Sequence, residues 1–381
     1  MVLGCWITWL VHARVGMQIV VDPHAEPARD SIPEKPPLIS VIIPARNEER
    51  NIRRCVQALL SQTYPNYEII VVDDRSTDTT PQILAELAEG DSSLQIIHGS
   101  ELPPGWAGKP HALVQGAAAA HGEWLCLMDA DTFAQPDLLW STYRLAIRYH
   151  ADMFSILTDQ ELGTFWERTI LPLVFLGLSF GFPADRVNDP TKPDAIANGQ
   201  FILIKRPVYE QVGGHASVKD RVDEDKAIAT IIKRAGYRLV LADGRKVAST
   251  RMYTSLPEMW EGWTKNIYLG LIDRLWLLLL GAFLGLVVSI MLPLWLVGGL
   301  VWLFAGGGLV AAVVAVEAIV LWGYLLCKRL QACRAFGIPA GYTFTFPLGA
   351  LIFTSMMVAS AYNVISGRGV LWKGRRYRQI R

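Results

Sequence analysis

The chain has 381 residues, a net charge of +1 and an apolar fraction of 51%. That length holds one soluble domain plus a membrane part, and a charge near zero gives no electrostatic case for binding nucleic acid. The five cysteines (Cys5, Cys55, Cys126, Cys327, Cys333) show neither metal-ligand nor disulfide spacing, and fit burial as small hydrophobes in a reducing compartment.

In chain order, residues 1–37 are an apolar segment followed by a linker. Residues 1–21 are apolar but broken by His12 and Arg14, so they read as a remnant anchor or an interfacial helix, without the cleavage pattern of a secretory signal. Residues 23–37 are proline-rich. Residues 38–43 then read as a buried strand ended by Pro44, with Asn47 capping a helix that runs to about Gln62. A second strand covers residues 67–72, and Pro81 sits in the first turn of the next helix. Residues 94–98, 124–128 and 153–157 are further strands. The alternation predicts an α/β fold with a doubly wound, mostly parallel sheet, and such sheets bind ligands beyond the carboxyl ends of their strands.

Three polar loops fall at those ends: Pro44-Ala45-Arg46-Asn47-Glu48, Asp73-Asp74-Arg75-Ser76-Thr77-Asp78 and Asp129-Ala130-Asp131. Any one of them alone reads as turn chemistry. Three acid-bearing loops at one sheet edge point instead to a site. Asp129 and Asp131, spaced i, i+2 on a turn leaving a strand, suit a hard cation such as Mg²⁺ or Mn²⁺, which commonly neutralises a diphosphate.

These motifs, in this order, resemble the family 2 glycosyltransferases of GT-A fold, from about Leu38 to Asn266. Within that family, Gly105-Trp106-Ala107-Gly108-Lys109, Asn198-Gly199-Gln200, residues 258–266 and Trp372-Lys373-Gly374-Arg375-Arg376-Tyr377 look most like membrane-bound enzymes that glycosylate hopanoid-type lipids, carotenoids and ceramides. The resemblance implies an NDP-sugar donor, UDP-sugars first among them, and inversion at the anomeric carbon. By position it implies that Pro44, Arg46 and Glu48 line the nucleotide, that Asp74 meets base or ribose, and that Asp131 with Asp129 holds the metal–diphosphate. Val222-Asp223-Glu224-Asp225-Lys226 resembles the family's Glu-Asp motif, with Asp225 as general base. The Gln-x-x-Arg-Trp motif of polymerising synthases is absent. Trp260-Glu261-Gly262-Trp263-Thr264-Lys265-Asn266 stands in its place, where Trp263 keeps an aromatic and Lys265 a positive charge.

Several of these residues carry a second reading. Lys109 either adds positive charge at the diphosphate or is a solvated surface lysine. Asp223 and Glu224 either raise the Asp225 pKa by repulsion or form with it an exposed acidic helix N-terminus. His111 and His215 lack a second ligand at metal spacing and read as structural. Trp260 and Trp263 suit an interfacial aromatic belt as well as a platform for sugar or lipid. Residues 165–182 are either a helix lying on the membrane or a buried core helix.

Beyond Leu271 the composition turns extreme. Residues 275–296 and 303–326 read as two spans, with the bend marked by Pro293, Gly298 and residues 306–308, and residues 343–365 as a third. Lys328, Arg329 and Arg334 place the second loop in the cytosol. The basic tail (Lys373, Arg375, Arg376, Arg378, Arg381) calls for the same side, which three simple spans do not deliver, so one apolar segment is expected to be re-entrant or interfacial. The expected organisation is 1–37 anchor and linker, 38–271 a cytosolic GT-A domain, 272–366 the membrane region of a plasma-membrane protein, and 367–381 a basic tail. An active site tied to a bilayer favours transfer of one sugar to a membrane lipid hydroxyl. A processive polysaccharide synthase would want more polar intramembrane residues than Glu317, and a non-catalytic scaffold or lipid-binding protein would not need all of Asp74, Asp131 and Asp225.

Overall fold

The computed structural model describes residues 19–23, 35–91, 93–271, 275–372 and 375–377. Most of the N-terminal segment and linker, and part of the basic tail, lie outside these residues. The described chain forms two compact units, one of Met1–Glu161 with Phe182–Met252 and one of Leu162–Gly181 with Tyr253–Arg381. This division differs from the 38–271 boundary expected from sequence, because residues 162–181 and 253–271 group with the apolar helices.

The first unit is built on the strands β1 (Ile39–Ala45), β2 (Tyr67–Asp73), β3 (Leu94–His98), β4 (Trp124–Met128), β5 (Thr132–Ala134), β6 (Met153–Leu157), β7 (Asp159–Gln160), β8 (Phe201–Lys205), β9 (Leu239–Asp243) and β10 (Ala248–Thr250). Seven of them form one sheet in the order β3-β2-β1-β4-β8-β6-β9. Neighbours are parallel except that β8 runs antiparallel to both β4 and β6. The strand order reverses between β1 and β4, the kind of switch point at which such sheets bind ligands. β1 is buried on both faces, with Ile39, Val41, Ile42 and Ile43 all at 0% exposure, which explains its unbroken apolar run. Around the sheet lie α1 (Ile52–Leu60), α2 (Thr80–Gly90), α3 (Gly108–Ala119) and α4 (Leu138–Arg148).

Two local expectations change. β1 does not stop at Pro44: the register carries on to Ala45 opposite Asp73, since a proline costs the ladder only its own N–H. Asn47 does not cap α1, which begins at Ile52. Asn47 sits in the left-handed region (φ 53°), where its Oδ1 accepts the Thr77 N–H at 2.9 Å and so ties the first loop to the second. Residues 19–21 add a short extended pairing at the end of β9, with the Val21 N–H donating to Asp243 O at 2.8 Å.

The second unit begins with α5 (Phe165–Gly181) in chain order; α6 (Ala184–Asn188), α7 (Arg206–Gln211) and α8 (Glu224–Arg234) belong to the first. The second unit continues with α9 (Leu256–Leu271), α10 (Leu275–Phe304), α11 (Gly308–Ala335), α12 (Phe346–Ile365) and the hairpin β11 (Val370–Trp372) and β12 (Arg375–Tyr377). Among the described residues three helical stretches, Leu275–Phe304, Gly308–Ala335 and Ala340–Ile365, are long and apolar enough to cross a membrane. Pro293 does not separate two spans: α10 runs through it, with a wider π turn at Val287–Met291 just before, and the reversal falls at the glycines 306–308.

Small residues let these helices approach. Gly299 of α10 faces Val314 and Ala315 of α11, whereas Gly281 faces Met357 and Gly285 faces Thr354 of α12. Both α11 and α12 therefore run opposite to α10 and in the same direction as each other. The Ser360 hydroxyl donates to Thr264 O (2.6 Å) and accepts the Tyr268 N–H (3.0 Å), locking α12 to α9.

Gly122, ahead of β4, tests the sheet's close packing. Its N–H donates to Ser40 Oγ at 2.7 Å, and a Cβ there would stand 2.6 Å from Leu38 O and Ser40 N, both backbone atoms that cannot step aside. Gly122→Ala is expected to cost about 1–3 kcal/mol, read as a lowered unfolding midpoint of the purified protein.

Candidate active site

The loops after β1 and β2 are stitched together. Arg46 Nη1 donates to Asp74 O (2.6 Å) and Arg75 O (3.0 Å), the Asn47 N–H to Ser76 Oγ (2.9 Å), and the Glu48 N–H to Thr80 Oγ1 (2.8 Å). Asp74 is 5% exposed and its N–H donates to Ala45 O at 2.7 Å. Pro44, Arg46, Glu48 and Asp74 thus belong to one laced edge beyond the carboxyl ends of β1 and β2.

Beside this edge, a pocket is lined by Pro44, Lys109, Asp129, Gly199, His215, Glu224 and Asp225, among others. Lys109, at the start of α3, reaches Asp129 Oδ1 at 2.6 Å and Glu224 Oε1 at 2.7 Å. Burial works against its ammonium, but Asp129, Glu224 and Asp225 outweigh it and hold its pKa well above the ordinary lysine value. Lys109 is therefore not a solvated surface lysine. Burial also raises the Asp129 carboxyl, against the pull of Lys109.

Asp225, in the first turn of α8, is partly exposed. Its Oδ2 accepts the Gly199 N–H at 3.1 Å and its Oδ1 the Lys226 N–H at 2.7 Å. Its pKa is raised to about 7, first by burial and then by Glu224. Asp223 contributes little, because it carries its own counter-ion: Arg221 binds it through Nε at 2.8 Å and Nη2 at 2.7 Å. Nor is this an exposed acidic helix end, since Asp223 and Glu224 are 6% and 5% exposed.

Sequence reasoning missed Gly199 as a positioning element. A Cβ there would lie 2.9 Å from Lys109 Nζ and 3.2 Å from Asp225 Oδ2, so glycine is what leaves room for the ammonium and the carboxylate at this point. His215 also lines the pocket. It is 1% exposed, its Nδ1 lies 3.0 Å from Tyr209 Oη, and burial lowers its pKa to about 4, so it is neutral at physiological pH. His111 packs edge-on against Trp106 and is structural. Trp263 and Lys265 lie on α9 in the second unit, where Trp263 is 6% exposed beside Tyr253.

Among the described residues no group of three or more His, Cys, Asp or Glu side chains gathers as a metal cage. A cation shared between one or two carboxylates and a ligand's phosphates needs no such cage, and Asp129 and Asp131 are the carboxylates expected for it from the sequence.

The sheet with its switch point and acid-bearing edge has the GT-A fold of glycosyltransferases. A mannosyltransferase from Pyrobaculum calidifontis, solved in complex with GDP-Man and Mn²⁺, matches 95% of this chain over 94% of its own, with a TM-score of 0.50 and 18% identity; the likeness is one of fold. Residues 40–213 match the model of glycosyl transferase family 2, so the chain carries a domain of that family. A beta-monoglucosyldiacylglycerol synthase of Nostoc sp. is 30% identical over 182 residues, covering 47% of this chain and 38% of the relative. A 4,4'-diaponeurosporenoate glycosyltransferase of Staphylococcus aureus is 26% identical over 237 residues, covering 61% of each. The chain thus matches less than two thirds of either relative's length. The resemblance read from the motifs is borne out, including its leaning towards lipid- and carotenoid-directed enzymes.

Removing Lys109 strands a nearly buried carboxylate, Glu224. Lys109→Met is expected to cost about 2–3 kcal/mol, below the roughly 3–5 of a fully enclosed pair because Lys109 is 32% exposed. Chemical denaturation at neutral pH measures it. Asp225→Asn has the opposite sign. A carboxyl raised to about 7 stabilises the fold when protonated, and that contribution is lost as pH rises through 7. The Asn variant should be the more stable protein at pH 8, with the advantage shrinking as pH falls towards 4.

Proposed function

We propose that this chain transfers a single sugar from a nucleotide-sugar donor, a UDP-sugar in the first instance, to a hydroxyl of a membrane lipid, with inversion and with Mg²⁺ or Mn²⁺. The observation that carries this reading is one pocket at the switch point where Lys109, Asp129, Glu224 and a carboxyl with pKa about 7, Asp225, meet. The names of the relatives, a glucosyldiacylglycerol synthase and a carotenoid acid glycosyltransferase, support a lipid acceptor. The three long apolar helices support a membrane enzyme; in this reading it lies in the plasma membrane with its catalytic domain on the cytosolic face.

In this reading Pro44, Arg46, Glu48 and Asp74 hold the nucleoside and its ribose. Asp131 and Asp129 hold the cation. When bound, it neutralises charge that grows on the departing diphosphate. Lys109 adds a second positive charge beside Asp129, and Glu224 fixes Lys109 in place. The acceptor oxygen bonds to the anomeric carbon on the face opposite the leaving group, its proton passes to Asp225, and the bond from the anomeric carbon to the diphosphate oxygen breaks. Trp263 and Lys265 serve the acceptor or diphosphate side. The missing Gln-x-x-Arg-Trp motif argues for one transfer per acceptor rather than polymer growth.

The test is transfer from a panel of UDP- and GDP-sugars to extracted membrane lipids by the purified protein. One labelled lipid, abolished in Asp225→Asn, supports the reading; equal product with the variant removes Asp225 as base. Activity should rise about tenfold per pH unit below pH 7 and level off above it, because the base must be ionised. In Glu224→Gln, which relieves a like charge, that limb should move to lower pH. Calorimetric UDP binding should need Mn²⁺ or Mg²⁺, disappear with EDTA, and weaken at least tenfold in Asp131→Ala. A non-catalytic scaffold would show no such metal dependence.

A further inference from the structure

The second unit holds a buried cation with no anion at ion-pair distance among the described residues. Arg329, in the last third of α11, is 3% exposed. Its Nη2 donates to the carbonyls of Arg168 (2.7 Å) and Thr169 (3.2 Å), while its Nε and Nη1 are buried with no hydrogen-bond partner. It forms no ion pair among the described residues, and from Ala318 to Arg381 the sequence has no Asp or Glu to offer one. Leaving charged donors unpaired in an apolar surrounding is costly, so such a group marks a place where an anion belongs. Two more donors wait nearby. Thr169 Oγ1 and Thr343 Oγ1 are buried and unpartnered, and Thr343 adjoins Tyr342, whose ring lies under the Arg168 guanidinium at 5.6 Å.

The same turn of α11 borders an apolar groove of about 280 Å³, lined by Leu326, Cys327, Leu330, Ala340, Thr343 and Phe344. Thr343 is common to the groove and to the orphan donors. An apolar channel beside a buried guanidinium, on a helix apolar enough to cross a bilayer, is complementary to one kind of molecule: a chain-bearing phosphate ester.

We propose that Arg329, with Thr169 and Thr343, binds the phosphate of a membrane phospholipid whose hydrocarbon chain lies in the groove between α11 and residues 340–344. The site is separate from the Asp225 pocket and does not depend on the glycosyl-transfer reading.

The full-length protein in mild detergent is titrated with dioleoylphosphatidylglycerol, with dioleoylglycerol (the same chains without phosphate) and with inorganic phosphate, and bound lipid is read by native mass spectrometry. The phospholipid should bind at least about tenfold more tightly than the diacylglycerol. Arg329→Lys, which keeps the charge but loses the guanidinium fork, should erase that difference. Ala340→Trp, which fills the groove, should weaken both lipids. Equal binding of the two lipids by the native chain, unchanged in Arg329→Lys, overturns the proposal. Inorganic phosphate alone displacing nothing is expected; if it competes fully and Ala340→Trp has no effect, the lipid occupant is overturned and a bare anion site remains. Should Arg329→Lys not yield folded protein, Thr343→Val and Ala340→Trp decide, and unimpaired phospholipid binding in both overturns the site.

Discussion

The catalytic unit is organised around a single ammonium group. Lys109 comes from the first turn of α3, Asp129 from the end of β4, and Glu224 from the first turn of α8. These elements are far apart in sequence, and their charges meet only if the sheet has closed and the helices have seated. Partly enclosed charges amplify both attraction and error, so the pocket is stable only when lysine and carboxylates are all present. The shape of the pocket is then a by-product of how the protein satisfies its own charges.

Asp225 shows the other side of that balance. Glu224 stabilises the fold through Lys109 and destabilises it through repulsion of Asp225, so one acid both anchors the scaffold and raises its neighbour's pKa. The Lys109 ammonium, and after it the Lys226 N–H, hold the Asp225 carboxyl below where burial and Glu224 alone would put it. Stability is given up at Asp225, as is usual where a carboxyl is held with a raised pKa inside a pocket.

Much of this was legible in the sequence, for definite reasons. β1 to β4 are short apolar runs bounded by turn formers, and β1 is buried on both faces, so pattern alone locates them. The acids at strand ends follow from the parallel order. What the sequence concealed depends on contacts across the chain. Asn47 looks like a cap because Asn usually is one, yet its partner is Thr77, thirty residues away. β8 (Phe-Ile-Leu-Ile-Lys) gives a short apolar signal like its neighbours, but nothing local states that it runs antiparallel. Lys109 read as even-handed between surface and site because Gly-Lys has no intrinsic meaning until Asp129 and Glu224 arrive. His215 reads from the sequence as structural, and only the fold shows that it forms part of the pocket wall.

The parallel run of α11 and α12 bears on a conflict that charge counting creates. Three helices crossing in alternation would leave the arginine-rich end and the Lys328–Arg334 turn on opposite sides. Since α12 repeats the direction of α11, the chain after Ile365 leaves where α9 arrives, and β11 lies against α9. Among the described residues, the Lys328–Arg334 end of α11 and the strand with Arg375 and Arg376 then lie towards one end of the second unit, opposite the uncharged turn around Phe304 and Leu309, which are 86% and 82% exposed. A unit charged at one end and bare at the other carries a built-in compass, since anionic lipid attracts only the charged end.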